Sequence, residues 1–205
     1  MNELIEKIKT YLEEKYNCHT LILYGSYNSG DFTAESDIDI IGFSQEVEEL
    51  NDVNSIEGKQ LDAWIYNTNK IKQPEQFLRI NEGTVLVDTM GLGVQLLTEI
   101  QTIYNNGPKK LTQEEKDFLK GWLKKMYVRS IKSDIEGNYR LNWMLKDSLE
   151  IYFELKGIWF LGPKKAFKWL KENDSMALHL FEKSLDREAD NQDIKKLIEY
   201  ITLLS

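Results

Sequence analysis

The 205-residue chain has one cysteine, two histidines and too few basic residues to balance its acids. Because Cys18 has no partner in the chain, an internal disulfide is excluded and the residue is expected to be a reduced thiol. Neither His19 nor His179 has a partner at metal-ligand spacing, so packing is the expected role of both.

Basic residues number 26 against 34 acidic ones, which gives a formal net charge of -8 and a pI near 5.0. Such a surface offers no overall attraction to phosphate backbones, so a nucleic-acid substrate is not expected, although a local basic groove stays open. The acceptor of any reaction is expected to be a small molecule or another protein. A cationic antibiotic would suit an acidic cleft.

Long hydrophobic runs are also missing. No segment reaches the roughly 18 apolar residues that a membrane span needs, and the first residues lack the basic start and apolar run of a signal peptide. We therefore expect a cytoplasmic protein with no membrane partner. An apolar content of 41% and five tryptophans predict a folded chain with a real core.

The most informative stretch begins with the apolar run 20–24, which leads into Gly25-Ser26 and then, after a polar segment, into Asp37-Ile38-Asp39-Ile40. This pattern predicts a strand, a turn and a second strand. Side chains alternate in a strand, so Asp37 and Asp39 should share one face. Two adjacent carboxylates disfavour each other's ionisation, and a hard divalent cation such as Mg²⁺ is the simplest stabiliser.

Gly25 and Ser26 have the properties that a metal-bound triphosphate needs, because glycine lets the backbone approach closely and a hydroxyl can bond phosphate oxygens. At this point the chain resembles the nucleotidyltransferase superfamily that includes DNA polymerase beta, whose signature is Gly-Ser, a spacer, then Asp-x-Asp. The resemblance implies a third carboxylate on a later strand. Asp62, in the alternating segment 61–66, is the residue at that place.

The same resemblance implies roles for the candidate residues. Asp37 and Asp39 would hold the metal that bridges the triphosphate, and Asp62 would ligate a second metal or accept the acceptor proton. Nucleotide-binding candidates are Gly25, Ser26, Ser36 and Lys164, the last because it follows Gly162-Pro163 at a predicted helix start. ATP is the expected nucleotide by family habit.

Between the second and third predicted strands, residues 44–50 have weak helical character and residues 51–58 are predicted to be a polar loop.

The run Asn105–Lys110 contains Asn-Gly-Pro and is predicted to separate a first domain, residues 1–107, from a second, residues 108–205. The period beyond it is helical, starting with the capping-box pattern of Thr112 and Glu115. The predicted class is α+β: a nucleotidyltransferase fold with a mixed sheet and flanking helices, then a helical bundle.

This plan resembles the antibiotic nucleotidyltransferases of the kanamycin and lincosamide types. The implied activity is magnesium-dependent transfer of a nucleoside monophosphate, AMP from ATP, to a hydroxyl of a small molecule such as an aminoglycoside or lincosamide, with pyrophosphate released and antibiotic resistance as the biological result. The resemblance also implies a homodimer and a general base in the helical half. Asp134 and Glu136 are candidates for that base, although a solvated helix end is the better interpretation of both.

Two alternatives stay open. In the first, the same chemistry modifies a partner protein in a toxin–antitoxin pair, although the additional helical half is not typical of the minimal enzymes of that kind. In the second, the fold binds a nucleotide without turnover. The intact acidic residues argue against this non-catalytic module.

Overall fold

The computed structural model describes residues 2–132 and 134–204. These residues form two compact units, Met1–Asn106 and Gly107–Ser205. Sheet and helices are combined in the first unit, and the second is built of helices. The α+β class predicted from the sequence is therefore confirmed. Within the described ranges, no helix is both long and apolar enough to cross a bilayer.

The first unit combines helices with the five strands of one sheet. In chain order its elements are α1 (Asn2–Tyr16), β1 (Thr20–Tyr24), α2 (Gly25–Ser29), β2 (Ile38–Ser44), β3 (Glu49–Ile56), β4 (Lys59–Asn67), β5 (Thr84–Asp88) and α3 (Leu92–Asn106). Two 3-10 helices, Thr68–Lys72 and Pro74–Ile80, lie between β4 and β5. Pro74 occupies the first turn of its helix, where its missing N–H group costs least.

The five strands form a mixed sheet in the order β3-β4-β2-β1-β5. β2 and β4 are parallel, and every other neighbouring pair is antiparallel. This order puts the two strands that carry the acidic signature side by side in the middle of the sheet. Gly25 and Ser26 begin α2 directly after β1, on the other side of β2.

Both faces of the sheet are covered by apolar side chains, which is why every residue of β2 except the half-buried Asp39 is buried. Ile38 and Ile40 of β2 belong to the core that α1 covers with Ile8 and Leu12. The opposite face carries a second core, whose buried members are Ile22, Ile41, Phe43, Ile71, Phe77, Ile80, Leu96 and Ile100. Each fully buried isoleucine contributes about 1.5–3 kcal/mol relative to an exposed one.

The structure corrects the predictions for residues 44–58. Residues 44–50, for which helical character was expected, contain the end of β2, a bend and the start of β3. The expected polar loop over residues 51–58 is largely occupied by strand β3. Its inward-facing buried residue is Asp52, whose Oδ2 accepts hydrogen bonds from the Tyr11 and Tyr16 hydroxyls, both at 2.8 Å, and from Lys15 Nζ at 3.1 Å. Burial opposes ionisation of this carboxyl, but these donors keep the pKa of Asp52 below its usual value. The buried acid thus takes the place of the apolar residue that would have revealed the strand.

The described residues of the second unit form five helices, α4 (Gln113–Ser130), α5 (Ile135–Lys156), α6 (Pro163–Asn173), α7 (Ser175–Leu185) and α8 (Asn191–Thr202). The predicted capping box at the start of α4 is confirmed, since Thr112 Oγ1 accepts from Glu115 N at 3.2 Å and Glu115 Oε2 accepts from Thr112 N at 2.7 Å. The core of this unit is rich in aromatic side chains, with Tyr152, Phe153 and Phe181 almost completely buried.

One carboxylate connects three helices of this unit. Asp174 caps α7 by accepting from Ala177 N at 3.0 Å, and it also accepts from the hydroxyls of Tyr152 at 2.6 Å and Tyr200 at 2.9 Å. Although burial opposes its ionisation, these three donors and the nearby Lys156 keep the pKa of Asp174 below its usual value.

We expect Asp174→Ala to lower the free energy of unfolding by about 2–4 kcal/mol. It removes a helix cap, worth about 1 kcal/mol, and leaves the buried Tyr152 hydroxyl without its acceptor, at a further cost of about 1–3 kcal/mol. Asp190→Ala is the matched control, because Asp190 caps α8 from an exposed position by accepting hydrogen bonds from the backbone N–H groups of Gln192 and Asp193. It should cost about 1 kcal/mol. Urea unfolding measures both, and equal losses would contradict the role assigned to the two phenols.

The same network predicts a pH dependence. A carboxyl whose pKa is lower in the folded state stabilises the protein above its unfolded pKa, and this stabilisation is lost as the pH falls through the folded pKa. The stability difference between the wild type and Asp174→Ala should therefore be constant near neutral pH and shrink below about pH 4. Unfolding curves recorded between about pH 3 and pH 7 test this, and a difference that grows on acidification would refute it.

Candidate active site

The strand register aligns one residue from each of three neighbouring strands. Tyr24, the last residue of β1, pairs with Asp39 of β2, and Asp39 pairs in turn with Asp62 of β4. Asp37 directly precedes β2. Because side chains alternate, Asp39 and Asp62 lie on the face that continues into Ile41 and Trp64, away from α1.

The structure brings the three predicted acids together. One carboxylate oxygen each from Asp37, Asp39 and Asp62 lies within 4.8 Å of those of the other two. Asp37 is exposed, and Asp39 and Asp62 are half-buried. Among the residues that the structure describes, this is the group of acidic, histidine or cysteine side chains that could hold a metal ion.

The donor set fits magnesium. Three carboxylates supply hard oxygen ligands, which Mg²⁺ prefers, and at least one of them is open to solvent, as an ion that keeps water and phosphate ligands requires. Mutual repulsion of three close negative charges is relieved by a divalent cation. Asp37, Asp39 and Asp62 are therefore the residues that would hold such an ion.

Both the backbone conformation at position 25 and the neighbouring Asp39 side chain require a glycine there. Its φ is +70°, in the left-handed region that glycine adopts without penalty. A Cβ atom at this position would lie 2.0 Å from Asp39 Oδ2 and 2.8 Å from Asp39 Cγ. The absence of a side chain at Gly25 is therefore what leaves room for the Asp39 carboxylate.

The other predicted nucleotide-binding residues occupy different settings. Ser26 is half-buried in the five-residue helix α2 that begins at Gly25, where the sequence predicted a turn. Ser36 closes the loop before β2, and its Oγ accepts a hydrogen bond from Thr33 N at 2.9 Å. Lys164 is exposed in the first turn of α6, in the second unit. The roles of these residues in nucleotide binding stay predictions.

Asp134 and Glu136 have structural partners in the second unit. Asp134 is the N-cap of α5, where its Oδ1 accepts from Gly137 N at 2.7 Å. Glu136 lies in the first turn of the same helix and forms an ion pair with Arg140 at 2.5 Å. The sequence placed both residues near the end of a helix, whereas they belong to the start of one. A solvated helix terminus, rather than a general base, remains the better interpretation of both residues.

Sequence reasoning missed the roles of Tyr24, which pairs with Asp39, and of Arg79, which packs against Tyr24. The Arg79 guanidinium lies 5.6 Å from the centre of the Tyr24 ring and donates to the Tyr66 hydroxyl at 3.4 Å. Burial raises the pKa of Tyr24 to about 12; Arg79 opposes this rise, and the carboxylates of Asp39 and Asp62 add to it. Tyr24 is thus a neutral hydroxyl at physiological pH. Arg79 gave no signal in the sequence, because its 3-10 helix has no recognisable motif.

A third residue that the sequence did not reveal is Asn51, on the edge strand β3. Its Nδ2 donates a hydrogen bond to Asp62 Oδ1 at 2.5 Å. The interpretation of residues 51–58 as a loop concealed this contact, because only a strand register places Asn51 beside β4.

The space that Gly25 leaves open can be tested by metal binding. Gly25→Ala should abolish the binding of Mn²⁺, used as a spectroscopic substitute for Mg²⁺, because the new methyl group collides with Asp39. Gly30→Ala is the matched control, since Gly30 has φ +81° but no atom within 4 Å of the added Cβ. Both variants carry a similar backbone cost of about 1–2 kcal/mol. Electron paramagnetic resonance titration with Mn²⁺ measures the outcome, and equal Mn²⁺ affinities of the two variants would contradict the proposed collision.

Comparison with known proteins identifies the family of the chain. Residues 6–103 match the family described as polymerase beta, nucleotidyltransferase. A protein of Methanocaldococcus jannaschii named "Putative protein adenylyltransferase" is 34% identical over 115 residues, which cover 56% of this chain and 90% of that protein. The crystal structure of a nucleotidyltransferase-like protein from Exiguobacterium sibiricum aligns over 98% of this chain and 73% of its own, with 11% identity and a TM-score of 0.48. Because the chain matches the family over most of its first unit and covers nearly all of the archaeal relative, it belongs to the polymerase beta-type nucleotidyltransferases.

Proposed function

We propose that this nucleotidyltransferase uses magnesium to transfer AMP from ATP to a hydroxyl group and releases pyrophosphate. The observation that carries the proposal is the convergence of the Asp37, Asp39 and Asp62 carboxylates beside Gly25. Their spacing suits ions shared between carboxylates and a triphosphate. The reaction would take place in the cytoplasm, where ATP and Mg²⁺ are available.

In this reaction the acceptor oxygen forms a bond to the α-phosphorus, and the bond from that phosphorus to the oxygen bridging to the β-phosphate breaks. Mg²⁺, when bound, neutralises the negative charge of the triphosphate and of the leaving pyrophosphate. Asp37 and Asp39 would bind the ion that holds the triphosphate. Asp62 would ligate a second ion or accept the proton that the acceptor hydroxyl loses.

The remaining site residues would position the nucleotide. Gly25 lets the backbone approach the phosphates closely, and Ser26 and Ser36 provide hydroxyl groups near the start of β2. Lys164 is the candidate cation of the second unit. Most of the rate enhancement would then come from orientation of the reacting groups and from electrostatic stabilisation.

A protein hydroxyl is the first candidate acceptor. It is favoured by the name of the archaeal relative, of which the chain covers 90%. Under this proposal a serine, threonine or tyrosine side chain of a partner protein would receive AMP.

A small hydroxyl-bearing molecule such as an aminoglycoside or lincosamide is the second candidate. It is favoured by the net charge of -8, which attracts cationic compounds, and by the helical unit that follows the sheet. Antibiotic resistance would be the result of such a reaction. The homodimer implied by the resemblance to kanamycin-type enzymes also stays a prediction.

The proposal predicts that Asp39→Asn lowers the rate of AMP transfer by at least about a hundredfold, because it removes one of the charges that hold the ion. Glu14→Gln is the control, since Glu14 is exposed on α1, the helix that covers the opposite face of the sheet. ATP labelled at the α-phosphate, with Mg²⁺ and a panel of aminoglycosides, lincosamides and candidate partner proteins, supplies the assay. ATP binding without pyrophosphate release for any acceptor would instead support the non-catalytic module.

A further inference from the structure

We propose that Asn51 is a positioning residue that fixes the orientation of the Asp62 carboxylate for metal binding. The inference rests on the proposed function, because it assigns to Asp62 the metal-binding role described above. Its basis is the hydrogen bond that Asn51 Nδ2 donates to Asp62 Oδ1 at 2.5 Å.

The strand register explains how Asn51 reaches Asp62. β3 and β4 are antiparallel, with Val53 opposite Asp62 and Asn51 opposite Trp64. Residues two apart in a strand share a face, so Asn51 and Asp62 lie on the same side of the sheet as diagonal neighbours. An asparagine side chain can span this diagonal, and its amide group then points along the sheet towards the carboxylate.

The two half-buried acids of the site are restrained in different ways. Asp39 packs against the backbone of Gly25, where no side chain could be accommodated. Asp62 lies one strand further from Gly25, and it is held by a hydrogen bond from the edge of the sheet. A carboxylate that is free to rotate would have to be ordered each time an ion binds. A hydrogen bond that already fixes one oxygen removes part of that cost.

An amide is well suited to this position. It donates a hydrogen bond without adding charge, so the full negative charge of the three acids remains available to a cation. A lysine there would neutralise part of that charge, and an aspartate would add a fourth negative group. Asn51 is exposed, and an exposed hydrogen bond of this type contributes little to overall stability. Its loss should therefore affect metal binding more than folding.

Mn²⁺ titration followed by electron paramagnetic resonance tests the proposal directly, without requiring an acceptor. Asn51→Leu, which has a similar volume but no donor, should weaken Mn²⁺ binding about 10- to 100-fold relative to the wild type. Asn54→Leu is the matched control, because Asn54 is an exposed asparagine of the same strand that donates to the Tyr11 hydroxyl at 3.1 Å. Asn51→Gln, which keeps the amide, should restore most of the affinity, and all three variants should unfold at similar temperatures.

The outcomes separate this inference from the function on which it rests. If Asn51→Leu and Asn54→Leu bind Mn²⁺ equally well, the positioning role is wrong even where the wild type transfers AMP. Wild-type Mn²⁺ binding that Asp62→Asn does not weaken would also overturn it, because Asp62 would then not be a ligand. If Mn²⁺ binding depends on both Asp62 and Asn51 while no acceptor is modified, the positioning role holds and the transfer proposal fails.

Discussion

The parallel pairing of β2 with β4 is the constraint on which the site depends. Three carboxylates close together repel one another, so they remain together only where the backbone fixes their positions. Here the backbone pairing sets Asp39 beside Asp62, and it is stabilised by apolar residues of both strands on both faces. The free energy that holds the acids together therefore comes from the cores above and below the sheet.

Around this pair, each neighbouring strand contributes a different kind of contact. On one side, β1 ends at Tyr24 and leads into Gly25, which leaves room for Asp39. On the other side, β3 contributes Asn51, which bonds to Asp62. The site is thus assembled across four adjacent strands, although its recognisable signature occupies only the segment from Gly25 to Asp39.

The sequence predicted the class of fold and the acidic group because both depend on local patterns. Alternation placed Asp37 with Asp39, and the same period in 61–66 placed Asp62 on a matching face. β3 was missed because its buried residue is Asp52, which removes the apolar alternation that marks a half-buried strand. Asn51 could not be recognised without that strand. Arg79 approaches Tyr24 through tertiary packing, which local spacing does not encode.

The buried carboxylate of Asp52 has a further consequence for how this sheet meets other molecules. β3 is an edge strand, and an edge strand with a regular apolar face readily pairs with a strand of another chain. In β3 the most deeply buried inward-facing position, Asp52, carries a charge anchored by two tyrosines of α1, and the outward-facing residues near it are mostly polar. A second strand added along this edge would gain little apolar contact. The border of the sheet nearest to Asp62 is thereby a poor template for pairing with a strand of another chain.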